Sequence, residues 1–190
     1  MPNLFKLANT DYASRHQYYV DGPPIMADIK VGTTWKTILV GGLGNGGAGY
    51  YALDITDPLN PQALWEFTAA NMGMTYGNPV IGKKADGTWV VAFTSGYNNT
   101  AGDGKGHLYV VNANTGAQLL DIPTTAGSSD TPSGLAKINA WIESRADNTI
   151  KRIYGGDLQG NLWRFDIDNL YLPNQGALQL AKFQINTSTP

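Results

Sequence analysis

The sequence predicts an all-β fold: a partial β-propeller of about three four-stranded antiparallel blades. Three observations carry that prediction. A short apolar strand ending in an Asx residue recurs as Gly49–Asp54, Gly106–Asn112 and Gly160–Asp166, with Tyr51, Tyr109 and Trp163 spaced 58 and 54 residues apart. Self-similarity at a period of about 56 residues marks stacked repeat units. The runs Trp89–Phe93 and Leu108–Val111 are apolar without alternation, which calls for cover on both faces, as in a sheet sandwiched between two others. Finally, 23 glycines and 11 % aromatic residues stand beside only 15 % charged residues, a balance suited to many short strands joined by tight turns.

Taken in order, residues 1–22 read as a lead-in strand or a fragment of a preceding blade, chiefly Asn3 to Tyr19. The first blade, 23–67, is expected to hold strands at Pro24–Ile29, Trp35–Gly42, Gly49–Asp54 and Ala63–Phe67. The second, 77–122, repeats them at Asn78–Gly82, Trp89–Gly96, Gly106–Asn112 and Ala117–Ile122. The third, 134–184, does so at Gly134–Asn139, Thr149–Gly156, Gly160–Asp166 and Ala177–Phe183. Each third strand runs into an Asx turn: Asp54-Ile55-Thr56-Asp57-Pro58, Asn112-Ala113-Asn114-Thr115-Gly116 and Asp166-Ile167-Asp168-Asn169. There a side-chain oxygen bonds backbone N–H groups two residues on and fixes the turn locally. Glycine and β-branched residues interrupt every 3.6-residue pattern, so helix is limited to a single turn near Ala69–Met72. Propellers close with about four to eight blades, so the three units form one incomplete domain. Its two outer faces are expected to be covered by the rest of a parent protein or by a second copy.

Composition narrows the function. A formal charge of −2 with no basic cluster leaves nucleic acid without an electrostatic footprint. The absence of cysteine removes thiolate catalysis, zinc–cysteine sites and disulfides. No stretch approaches the roughly 20 apolar residues of a transmembrane helix. Met1–Lys6 lacks the apolar core of a signal peptide, so any export address is expected outside this chain.

No constellation carries a catalytic or cofactor-binding site. Gly42-Leu43-Gly44-Asn45-Gly46-Gly47 matches G-x-G-x-x-G, but that fingerprint needs a following helix to face the pyrophosphate, and a strand is expected there instead. Only His16 and His107 supply imidazole, His107 at the start of a repeated strand where a structural role fits. Asp54, Asp157 and Asp166 read as turn anchors. The acidic stretch Glu143 to Lys151 has the alternate spacing of a calcium loop at Glu143, Arg145, Asp147, Thr149 and Lys151, yet Arg145 and Lys151 repel a divalent ion, so it reads as a degenerate calcium-like loop. Asn98 to Lys105 offers oxygen donors with a single carboxylate and reads as a solvated hairpin.

Four segments together resemble the C-terminal propeller of the PilY/PilC-type tip-associated adhesins of type IV pili. They are Tyr18-Tyr19-Val20-Asp21-Gly22, Leu39 to Gly44, Tyr51 to Pro58, and Gly155-Gly156-Asp157-Leu158-Gln159-Gly160-Asn161-Leu162-Trp163-Arg164-Phe165-Asp166. The resemblance runs from about Tyr18 to Asp168. It implies a non-enzymatic part of a large exported protein at the pilus tip and outer cell surface, supporting pilus biogenesis, twitching motility and adhesion. Minor pilins or other tip components are the implied partners, with host or abiotic surfaces as receptors. Calcium-binding members hold the ion in the loop that corresponds to Glu143, Arg145, Asp147, Thr149 and Lys151; the two cationic positions depart from that pattern, so no metal is carried over. The strand-plus-Asx repeat also resembles the blades of quinoprotein dehydrogenases, which makes a pyrroloquinoline quinone enzyme fragment the alternative, beside a generic repeat binding scaffold. Length and small-residue content mark Gly41–Gly49, Gly96–Gly106 and Thr124–Gly134 as the loops expected to meet partners.

Overall fold

The computed structural model describes residues 6, 8–144 and 146–184. The fold is all-β. Twelve strands form three four-stranded sheets, each an antiparallel meander in chain order. The first sheet comprises β1 (Ile25–Val31), β2 (Thr34–Gly42), β3 (Tyr50–Asp54) and β4 (Gln62–Phe67). The second comprises β5 (Val80–Lys83), β6 (Trp89–Thr94), β7 (His107–Asn112) and β8 (Gln118–Pro123), and the third β9 (Ile138–Ile142), β10 (Ile150–Gly156), β11 (Asn161–Phe165) and β12 (Ala177–Lys182). The first strands β1, β5 and β9 approach one another from sheet to sheet, the arrangement of propeller blades. The sheets do not close into a ring.

The apolar runs have the cover that their pattern demands. On β6, Val91 and Phe93 face the first sheet while Val90 and Ala92 face the third. On β7, Tyr109 and Val111 face the first while Leu108 and Val110 face the third. All eight are at most 1 % exposed. The outer sheets alternate instead: β11 buries Trp163 and Phe165 and turns Leu162 and Arg164 outward. Each fully buried large side chain contributes about 1.5–3 kcal/mol relative to exposure, so the middle sheet anchors both seams.

The Asx turns form as their chemistry requires. Asp54 Oδ1 accepts from the Thr56 backbone N–H at 3.0 Å and from the Thr56 hydroxyl at 2.6 Å. Asn112 Oδ1 accepts from Asn114 N–H and Thr115 N–H, both at 3.0 Å. Asp166 differs from the expected short turn. It is 2 % exposed and accepts from Leu170 N–H and Gln175 N–H, so one buried carboxylate organises a longer loop. Gly116, at φ +70°, lies where an added Cβ would sit 2.6 Å from the Trp65 ring. Only glycine combines that backbone with that approach.

Two expectations need correction. The first strand of the third sheet begins at Ile138, not Gly134, because Leu135 and Ala136 are taken up by the neighbouring sheet. Gly96 N–H donates to Leu135 O at 2.9 Å, and the Thr94 hydroxyl donates to Ala136 O at 2.6 Å. Helical turns are not confined to Ala69–Met72, which is the expected single turn closed by Met72 N–H to Ala69 O at 3.1 Å; a 3-10 turn also lies at Tyr12–Ser14. Of the lead-in segment, residues 1–5 and 7 lie outside the described residues.

Candidate functional site

The three loops singled out by length are knitted together. In Gly41–Gly49 the control comes from Thr75, a fully buried residue on the connection between β4 and β5. Its hydroxyl donates to Gly49 O at 2.9 Å and accepts from Leu43 N–H at 3.0 Å. The glycine string leads into β3, so no helix terminus faces it. A cavity of about 400 Å³ opens beside this loop, lined by Tyr19, Leu43, Tyr51, Glu66, Phe67 and Thr68 among others.

Gly96–Gly106 is only partly solvated, unlike the open hairpin expected at Asn98–Lys105: Asn98, Thr100 and Ala101 are exposed while Asn99 and Gly104 are buried. Asn99 is 1 % exposed, and its amide donates to Asn71 O at 3.0 Å and Lys105 O at 2.8 Å. Asp103 N–H donates to Asn71 Oδ1 at 3.0 Å, so an asparagine from the β4–β5 connection fixes the loop from below. Thr124–Gly134 closes over its other side through Ser133 N–H to Gly104 O and Thr124 N–H to Gly106 O. Gly104 has φ +72°, and an added Cβ would meet Ser128 O at 1.8 Å. Leu158 N–H then donates to Ser133 O at 2.8 Å and carries the layer to the third sheet. Sequence reasoning found the loops but missed Thr75, Asn71 and Asn99. Thr75 and Asn99 are buried and Asn71 half-buried, and nothing in their local sequence marks them so.

Asp157, placed beside this layer, is a saturated anchor. It accepts from Gln159 N–H, Asn161 N–H, the Asn161 amide and Trp163 Nε1 at 2.8–3.1 Å. His107 is buried, with one ring nitrogen against the Asp103 carboxylate and the other against Asp121. His16 is exposed on the lead-in segment, against Tyr12 and Tyr18.

The calcium-like loop lies at the opposite end of β10. Asp147 Oδ1 takes the Lys83 ammonium of β5 at 3.1 Å, and Lys151 Nζ stands 3.9 Å from Glu143 Oε2. The Thr149 side chain and then Lys83 hold the Asp147 carboxyl below its ordinary range. Arg145 lies outside the described residues. A divalent ion here would have to displace Lys83 from Asp147 and Lys151 from Glu143, the two carboxylates of the motif. Among the described residues no three His, Asp or Glu side chains converge on a point where a metal could sit, and no helix is long and apolar enough to cross a membrane.

The family profile described as "PilY1 beta-propeller domain" matches residues 1–176 of the chain. This protein belongs to the PilY1 β-propeller family. Among its curated relatives, the type IV pilus biogenesis factor PilY1 homolog of Xylella fastidiosa is 39 % identical over all of this chain and 15 % of its own length. The type IV pilus biogenesis factor PilY1 of Pseudomonas aeruginosa is 37 % identical over 96 % of the chain and 16 % of its own length. The crystal structure of the Pseudomonas aeruginosa PilY1 C-terminal domain superposes with a TM-score of 0.69 at 36 % identity, covering 82 % of this chain and 32 % of that one. The chain thus spans about a sixth of the curated PilY1 relatives. Both relatives bear the name of pilus biogenesis factors.

Proposed function

We propose that the chain is a non-enzymatic segment of a type IV pilus tip-associated adhesin and assembly protein, supporting pilus biogenesis, twitching motility and surface attachment. In this reading it acts outside the cell, at the surface or pilus tip, and contacts minor pilins or other tip components and, through exposed loops, host or abiotic receptors. The reading rests on family membership and on one observation of the fold. The loops Gly41–Gly49, Gly96–Gly106 and Thr124–Gly134 form a continuous layer, held to the β4–β5 connection by Thr75 and Asn71 and to one another through Ser133 N–H and Gly104 O. Loops fixed on a rigid scaffold are suited to recognition. Within this reading the blades are 23–67, 77–122 and 134–184 of one incomplete propeller, with 1–22 leading in, and the rest of a parent protein or a second copy covers the outer faces.

No cofactor is assigned, and the 143–151 loop works without calcium because Lys83 and Lys151 supply its positive charge. Calcium titrated calorimetrically into the chain should give no binding heat, and tight binding by the native chain would overturn the assignment. The contact surface is tested by Ser129→Arg with Asp130→Arg at the exposed tip of the third loop. In a strain carrying the parent gene, minor-pilin co-purification and surface piliation should fall while the melting curve of the chain stays put. Unchanged capture and piliation would remove this loop from the contact surface.

A further inference from the structure

His107 opens β7 with its side chain 4 % exposed. Its ring is stacked on Tyr109 with centroids 5.7 Å apart. Each nitrogen meets a carboxylate. Nδ1 lies 2.6 Å from Asp121 Oδ1 on β8, and Nε2 lies 3.1 and 3.2 Å from the two oxygens of Asp103 in the Gly96–Gly106 loop. A neutral imidazole has one N–H to give and one lone pair that a carboxylate repels; only the imidazolium donates on both sides. With both carboxylates ionised, only the charged ring satisfies the arrangement. Burial alone would lower its pKa, but the hydrogen bonds and charges of Asp121 and then Asp103 outweigh burial and raise it above the ordinary 6.5.

We propose that His107 is a proton-operated clasp: charged, it ties the Asp103 side of the Gly96–Gly106 loop to Asp121 on β8, and on losing its proton it releases the loop side. The loop side is the one released because the shorter bond belongs to Asp121, which is held in the strand register opposite Tyr109. The remaining proton stays on Nδ1 against Asp121, and the Nε2 lone pair is left facing the Asp103 carboxylate. The groups facing the ring are few. The loop supplies Asp103 and, through Asp103, Lys105; β8 supplies Asp121. On β7, burial and the same two carboxylates push the Tyr109 phenol upward, which keeps it neutral. The β4–β5 connection contributes neutral Asn71, and Ser95 Oγ accepts from His107 N–H at 3.0 Å.

The sign follows from linkage. A histidine whose folded pKa exceeds its unfolded one adds stability that is complete below about 6.5 and is lost as pH rises through the folded value. Burial raises the Asp103 pKa, but the Lys105 N–H and the His107 contact outweigh it and leave it below 3.8, so its contribution fades only as pH falls through that lowered value. The clasp is closed between the two limits and opens on the alkaline side. Any consequence for partner capture rests on the contact-surface reading above; the opening of the loop does not.

The test is an NMR titration of the isolated chain from pH 5 to about 9.5, with imidazole nitrogen shifts and amide exchange read together. His107 should titrate above a histidine in an unstructured control peptide. For each unit of that difference, exchange at Gly102 to Gly106, corrected for intrinsic base catalysis, should accelerate about tenfold across the same transition. Asp103→Asn should lower the His107 pKa and leave those amides exchanging fast at every pH, while β6 and β8 amides stay protected. The proposal is overturned if His107 titrates at or below the control, or if the loop amides ignore its titration. Should the clasp open as expected while minor-pilin capture is indifferent to pH, the contact-surface reading fails for this loop and the clasp stands.

Discussion

The two seams between sheets are built from equivalent strands but specified differently. Between the first and second sheets the contact is aromatic: Tyr50 stacks on Phe93 at 4.2 Å, Phe67 meets Phe93 at 5.1 Å and Tyr109 at 5.4 Å. Trp65 Nε1 donates to Ala113 O at 3.0 Å. Between the second and third sheets the interior is mainly aliphatic, with Trp163 and Phe165, and its rim is charged. The end of β5 and the β5–β6 turn reach across with Lys83 to Asp147, Lys84 to Asp168 at 3.6 Å, and Ala85 N–H to Asp168 Oδ2 at 2.7 Å. Ring packing is indifferent to ionic strength, whereas charges near the surface are screened. One repeat thus yields one seam fixed by shape and another fixed partly by charge.

Breaking the aromatic seam should have the largest effect. Phe93→Ala removes a fully buried ring against Tyr50 and should cost about 3–5 kcal/mol, read as a shift of the urea midpoint. Trp65→Phe keeps the ring but strands the Ala113 carbonyl, at about 1–3 kcal/mol, and that loss should be the same at 0.1 and 1 M NaCl. Lys83→Met removes the ammonium from Asp147, whose side chain is 56 % exposed. Because that pair is open to solvent its loss should be the smallest of the three, and it should shrink as the Debye length falls from about 10 to about 3 Å. Equal salt responses of the two variants would erase the distinction between the seams.

Much of the architecture was legible because the physics behind it is local. The runs Trp89–Phe93 and Leu108–Val111 declare two covered faces without any knowledge of what covers them. Asp54 and Asn112 bond N–H groups two or three residues away, so their turns are written in adjacent residues. The shift of β9 was hidden because the Leu135 and Ala136 carbonyls are claimed by Gly96 and Thr94, about 40 residues earlier. The contact loops were visible as long, small-residue stretches, but their rigidity was not. Thr75, Asn71 and Asn99 look like ordinary loop residues until the fold brings distant carbonyls and N–H groups to them.

Sequence alone determined the strand count, the repeat, the turn anchors and the family, because periodicity, Asx chemistry and motif strings need only neighbours along the chain. Tertiary structure decided the rest. Lys83 comes to Asp147 from 64 residues away, which fills with an ammonium a loop whose spacing suggests calcium. Asp103 and Asp121 close on His107 from a loop and the next strand, turning a histidine that reads as structural into a charged clasp. Charge state and pairing depend on distance in space, and that distance is set only when the sheets stack.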